Sequence, residues 1–245
     1  MKTKLFSILF VLTLLVAACA PAGPAKDLSD PLTLVTEYYA AIEASDLEKA
    51  MTFASEDYVM TDPTGFTVGK EAATAAWQGY FDAGFTFDQS DFKADGNRVT
   101  SCYKVYENGN LIDEGCGAVT HVRDGKIIFD GLEDAEQIWV VQEYYEALNA
   151  ANLDIAMSFI ASDAVFINPT GTYEGADAIR ASLEGLNNDG ITFDLSNFRN
   201  TGGTVIYDYQ VLQGGNVLDT GTNGLTQVKD GLIIFDGTEE TAAGR

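Results

Sequence analysis

Residues 124–131 read Asp-Gly-Lys-Ile-Ile-Phe-Asp-Gly, and residues 230–237 read Asp-Gly-Leu-Ile-Ile-Phe-Asp-Gly. The two octapeptides differ at one position and lie 106 residues apart. Working outward, the same spacing sets Thr86-Phe87-Asp88 on Thr192-Phe193-Asp194 and Pro63-Thr64-Gly65 on Pro169-Thr170-Gly171. It also sets Glu37-Tyr38-Tyr39 on Glu143-Tyr144-Tyr145. No gap is needed from residue 31 to 134, and roughly 40% of the paired positions are identical. A period near 100 residues is too long for a solenoid unit and fits a whole small domain. The chain is therefore read as two homologous domains, 31–134 and 137–240, with almost no linker.

Each copy carries the same local signals. Val35, Tyr38, Tyr39 and Ile42, repeated by Val141, Tyr144, Tyr145 and Leu148, have the spacing of an amphipathic helix. A second short helix is expected from Ser45 or Asp46, with Ser45-x-x-Glu48 a possible capping box. Tyr58-Val59-Met60-Thr61 and Val165-Phe166-Ile167 read as strands stopped by Asp62-Pro63 and Asn168-Pro169. A third helix follows Gly69, with Ala73, Ala76, Trp77 and Tyr80 on one face. The remainder, about 85–94, 98–107, 111–122 and 126–131, is broken by hairpin turn signals at Asp95-Gly96-Asn97, Asn108-Gly109-Asn110 and Asp124-Gly125. Helices first and an antiparallel meander after them make an α+β domain.

The flanks and the charge bound the setting. Residues 1–19, MKTKLFSILFVLTLLVAAC, join a basic start to an apolar stretch too short to span a bilayer. Small residues before Cys19 resemble the bacterial lipoprotein box, which implies a lipidated Cys19 and an envelope protein held extracytoplasmically by a lipid anchor. Ordinary cleavage near Ala18-Cys19-Ala20 is the alternative. Residues 20–30, rich in Pro, Gly, Ala and Ser, read as a flexible tether. Of the 245 residues 46% are hydrophobic and 21% charged, which excludes a wholly disordered chain. Thirty-seven acidic against fourteen basic residues give a net charge of −23, which opposes nucleic-acid binding and docking on anionic lipid.

The order of elements, with D-P-x-G after the first strand and D-G-x-I before the last, resembles the SnoaL-like branch of the NTF2-like superfamily. The resemblance implies two tandem cone-shaped domains, each a curved sheet wrapping three helices around a cavity. Val140-Val141-Gln142-x-Tyr144 with Ala147-Leu148-Asn149-Ala150 is further similar to the first helix of ketosteroid isomerase. That likeness implies an oxyanion-donating tyrosine at Tyr144 and, by the repeat, Tyr38. It implies a base at Asp62, where the second copy has Asn168, and a second carboxyl near Gly117 to Thr120, where no acid stands.

Asp62 is thus a candidate base or an Asx-turn residue. Tyr38 and Tyr144 are candidate donors or satisfied core tyrosines. His121, the only histidine, is a candidate acid or base or a structural residue. If Cys102 pairs with Cys116, strand parity puts Val99, Tyr103, Val119 and His121 on one face. The matching face carries Val205, Tyr207, Tyr209, Leu225 and Gln227, and both are expected to line cavities with Trp77, Tyr144 and Asn168. No zinc, nucleotide or nucleophile-elbow motif is present, so no metal or cofactor is expected. The acids Glu133, Asp134 and Glu136 read as a solvated linker.

Cys102 and Cys116 are expected to form a cross-strand disulfide if Asn108-Gly109-Asn110 is a three-residue loop; a two-residue turn would pair Ser101 with Cys116 instead. The two domains are expected to pack as an intrachain pseudo-dimer through sheet faces bearing Tyr106, Ile112, Ile206, Leu212 and Leu218. Three functions remain open at this stage. They are a non-catalytic module binding a small apolar or amphipathic ligand, an isomerase, cyclase or dehydratase acting through Asp62 and Tyr38, and a partner-binding scaffold.

Overall fold

The computed structural model describes residues 26–244. Cys19 and the segment 1–25 lie outside the described residues. The first helix, α1 (Pro31–Glu43), starts where the Asp30 carboxylate accepts the Thr33 N–H at 3.0 Å and Pro31 takes the first helical position. It buries Tyr38, Tyr39 and Ile42, as the spacing requires. The next helix, α2 (Leu47–Phe53), is capped by Asp46, which accepts the Lys49 N–H at 3.1 Å. Ser45 is not the cap: the chain reverses through it at φ 55°, which is not the extended conformation an N-cap needs.

Strands β1 (Ala54–Asp62) and β2 (Gly65–Val68) close over Pro63-Thr64, and α3 (Lys70–Asp82) follows. The meander is β3 (Phe85–Asp95), β4 (Arg98–Glu107), β5 (Asn110–Arg123) and β6 (Lys126–Leu132). The sheet order is β2-β1-β6-β5-β4-β3. It is mixed, because β1 runs parallel to β6. The second half repeats every element: α4 (Glu133–Asn149), α5 (Leu153–Ser158), β7 (Ile160–Asn168), β8 (Gly171–Glu174), α6 (Ala176–Asn188), β9 (Ile191–Thr201), β10 (Thr204–Gln213), β11 (Asn216–Lys229) and β12 (Leu232–Thr238). A final short helix, α7 (Glu239–Ala243), ends it. In each half the helices cover the inner sheet face, where Tyr38, Trp77, Val99 and Ile127 share one apolar cluster.

Cys102 and Cys116 face each other across β4 and β5 and are joined by a disulfide. The register is reached by a route the sequence did not suggest. The loop is the two-residue Asn108-Gly109 turn, with Glu107 opposite Asn110. Ile112 then bulges out, and this extra residue restores Cys102 to Cys116. The second half has Asp208 and Thr222 at these places. Reducing the bridge is expected to destabilise the first half by roughly 3 kcal/mol, since the closed loop is short. A urea midpoint unchanged by reductant would refute this.

A second bulge falls at Gly117, whose φ of 104° suits glycine: Cys102 faces Cys116, but Ser101 faces Ala118. The extra residue inverts side-chain parity beyond it. Val99 and Tyr103 stay on the inner face, whereas Val119 and His121 turn outward. The second half has a matching register break before Gly224, so Leu225 and Gln227 also leave the inner face.

The halves join without a linker. Glu133 and Asp134 form the first turn of α4 directly after β6, and Glu136 in the same helix is fully buried. The reading of these acids as a solvated linker is therefore wrong for Glu136. Its Oε1 lies 2.6 Å from Arg98 Nε and 2.5 Å from His121 Nε2, and its Oε2 takes Arg98 Nη2 at 2.7 Å. Arg98 and His121 belong to the first half and Glu136 to the second. Gly231, in the β11–β12 turn, closes over this cluster; a Cβ there would stand 3.0 Å from both Arg98 Cδ and Glu136 Oε1. Beside the cluster Trp139 of α4 stacks on Phe129 with ring centroids 4.6 Å apart, and Arg123 lies 5.6 Å from the Phe159 ring. Val59, Ile128 and Phe129 of the first half are thus part of the second half's apolar cluster. Of the side chains expected at the contact, Ile112 is 51% and Leu218 57% exposed.

Candidate functional site

On β12 the run Ile233-Ile234-Phe235-Asp236 places one carboxylate against the inner face of the second half. Three hydroxyls from three elements reach it. Thr226 of β11 donates to Oδ1 at 2.7 Å and Tyr207 of β10 at 3.1 Å, and Tyr145 of α4 donates to Oδ2 at 3.0 Å. Burial pushes the Asp236 carboxyl up to about 6, and the three hydroxyls with the Gly237 N–H offset only part of that. Asp236 stands in the wall of a cavity of about 390 Å³. The rest of that wall is largely apolar and aromatic, with Leu148, Phe166, Leu183, Leu186 and Phe193 among its members. Tyr144, Asn168 and Tyr209 line it too.

The first half builds the same carboxylate into a closed core. Asp130 accepts from Tyr38 and Tyr58, each at 3.1 Å on Oδ2, and from Tyr39 and Thr120 on Oδ1. Burial raises its pKa as well. The two halves differ in what fills the space above the acid. Tyr58, Trp77 and Tyr80 of the first half are Ala164, Leu183 and Leu186 in the second. Tyr58 reaches Asp130 from β1, whereas Ala164 reaches nothing, and the third hydroxyl comes instead from Tyr207, where the first half has Ser101. Three smaller side chains and a hydroxyl moved to another strand leave room over Asp236.

The other sequence candidates do not meet. Asp62 accepts the Thr64 N–H at 2.6 Å and the Tyr80 hydroxyl at 2.6 Å. Burial raises its carboxyl, but those bonds outweigh it and hold it below the usual range, so it is a turn carboxylate and a poor base. Asn168 makes the same turn, accepting the Thr170 N–H at 2.9 Å. Tyr38 is fully buried and bonded to Asp130 and to the Tyr58 hydroxyl at 2.9 Å. Trp77 packs edge-on to Phe87 in the first core, with centroids 4.9 Å apart. Tyr103 lies over Gly115. His121 sits on the outer face with Glu136, so it is no part of a constellation with Asp62 and Tyr38. Gln227, displaced by the same kind of register break, is likewise absent from the cavity wall.

Sequence reasoning passed over Asp130 and Asp236. The signal was present: a single carboxylate ends an otherwise apolar Ile-Ile-Phe run in both copies. Such a residue on a buried strand needs partners, and the tyrosines of α1 and α4 are those partners.

The family model of the SnoaL-like domain matches residues 35–129 and again 141–235. Among solved structures the chain is similar to an NTF2-like protein of unknown function from Cytophaga hutchinsonii, at 20% identity and TM-score 0.38, over 42% of this chain and 88% of that one. It is similar to a protein of unknown function with cystatin-like fold from Methylobium petroleophilum, at 17% identity and TM-score 0.39, over 43% and 75%. It is also similar to an LEH-like epoxide hydrolase from M. tuberculosis, at 19% identity and TM-score 0.37, over 42% and 77%. The comparison with curated proteins gave no match.

Proposed function

We propose that this chain, which belongs to the SnoaL-like domain family in both of its halves, is a non-catalytic binding protein whose second half holds the ligand. The observation that carries the reading is the cavity of about 390 Å³ with largely apolar walls and the Asp236–tyrosine cluster in it. That size and lining suit a small, largely apolar molecule with one polar group. The first half, with Tyr58, Trp77 and Tyr80 in the corresponding space, serves as its structural partner.

Refilling the cavity with the first half's own residues tests this. Ala164→Tyr with Leu183→Trp is expected to abolish binding of a neutral apolar dye such as Nile red, which wild type takes up at one per chain. Circular dichroism checks that the variant is folded. Undiminished uptake by a folded variant would overturn the reading.

One observation favours a second reading. A carboxyl poised near 6 in an apolar pocket is suited to acid–base turnover, with Asp236 exchanging a proton with a bound substrate.

We also infer that the protein is tethered outside the cytoplasm through Cys19, on the strength of the leader sequence alone. Among the described residues no helix is long and apolar enough to cross a membrane. Diacylation of Cys19 would supply a stable anchor where one chain binds marginally. Cys19→Ser is expected to move the protein to the soluble fraction; a variant still bound to membranes would exclude this anchor.

A further inference from the structure

The Asp236 carboxylate has hydroxyl partners but no cation. Among the described residues its side chain forms no ion pair with Lys, Arg or His. The cavity wall contains no basic residue at all, and it includes a second acid, Asp219. A half-buried carboxylate with no cation beside it is costly unless something of opposite charge answers it. The hydroxyls do not supply that charge. They are neutral, and their oxygens also lie 3.0 Å from one another, Tyr145 to Tyr207 and Tyr207 to Thr226. The Tyr145 hydroxyl is shared between the two oxygens, 3.0 Å from Oδ2 and 3.2 Å from Oδ1, and each carboxylate oxygen has two lone pairs with which to accept. Tyr144, whose ring lies 4.8 Å from that of Tyr145, makes no hydrogen bond among the described residues, so its oxygen can accept as well. Tyr144, Tyr145, Phe166, Phe193 and Tyr207 line the same space, and a cation held over the face of an aromatic ring is further stabilised.

We propose that the ligand of the second-half cavity is a lipophilic amine, its ammonium paired with Asp236 between the tyrosines and its apolar body against Leu148, Leu183 and Leu186. The inference rests on the reading of this cavity as a binding site and adds the class of ligand. An alkylammonium brings N–H donors, which match a floor made of acceptors. A carboxylic acid would place a further negative charge beside Asp236 and Asp219 with no cation to receive it. The net charge of −23 works in the same direction, drawing cations toward the protein and repelling anions.

Calorimetric titration of the purified protein at pH 7.5 with 4-phenylbutylamine, 4-phenylbutanol and 4-phenylbutyrate separates the possibilities, because the three share a body and differ in the head. The amine is expected to bind at one per chain, at least tenfold more tightly than the alcohol, with the acid weakest. Asp236→Asn should remove most of the amine's advantage over the alcohol. An alcohol or acid that binds as well as the amine would overturn the amine assignment and leave the cavity reading standing. So would an Asp236→Asn variant that keeps the full preference for the amine. If none of the three binds, the cavity reading falls and the amine assignment falls with it.

Discussion

Asp236→Asn is expected to stabilise the protein at pH 8 and to lose that advantage in acid. Asp236 titrates near 6 in the fold and near 3.8 as an unperturbed side chain, so the folded state holds its proton more tightly than the unfolded chain does. Between these two values the native state binds more protons, and stability falls as pH rises. Above about 6 the whole penalty is present, and at 1.36 kcal/mol per pKa unit it amounts to about 3 kcal/mol. Below about 3.8 it is gone. Asparagine carries no charge and avoids the penalty, so urea midpoints of variant and wild type should diverge at pH 8 and converge near pH 4. A variant equally destabilised at both pH values would show that the charge of Asp236 is not what burdens the fold. A gain in stability bought with a loss of binding is the pattern of a functional group held in an unfavourable place.

Glu136→Ala should act in the opposite sense. Removing it leaves the Arg98 guanidinium, 13% exposed at its side chain, without its carboxylate at the junction of the halves. Breaking a buried pair from one side costs about 3–5 kcal/mol. For a chain of this size that corresponds to a fall in Tm of roughly 10 °C. Replacing both partners, Arg98→Met with Glu136→Leu, should recover much of the loss, because no charge is then left buried. Burial raises the Glu136 carboxyl, but the hydrogen bonds from Arg98 and His121 outweigh it, and its pKa lies below the usual value of 4.5. Its contribution is therefore complete above pH 4.5 and is lost as pH falls through the lowered value. A Glu136→Ala variant within about 1 kcal/mol of wild type would mean that the other contacts of the junction, Trp139 on Phe129 among them, hold it without the ion cluster.

The fold was legible because duplication doubled its signals. Helical spacing, turn residues and strand runs each appear twice at one offset, so every local reading had a second witness. The pockets were harder to read. Parity counting assigned His121 and Gln227 to the cavity, and single extra residues in β5 and β11 reversed that assignment. A bulge of one residue leaves little trace in sequence beyond a glycine at 117. Asp62 drew attention through its turn, which its hydrogen bonds explain fully. The buried acids were hidden for another reason. What gives Asp236 its character is the absence of Tyr58, Trp77 and Tyr80 equivalents, and an absence is visible only when the two copies are set side by side. Glu136 was masked by the acids around it, since its partners Arg98 and His121 are distant in sequence.

The seamless passage from β6 into α4 also sets an order on how the chain can mature. Val59, Ile128 and Phe129 complete the first half's sheet, yet the surface that covers them arrives with Trp139 and Phe159. A polypeptide growing from its N-terminus finishes the first domain with this greasy face bare. At about 5–20 residues per second, the stretch from Leu132 to Phe159 takes only about 1–5 s to follow. The first domain is thus a nascent intermediate that needs its own successor as a cover, and pausing of synthesis just after β6 would be the moment at which it is most open to aggregation.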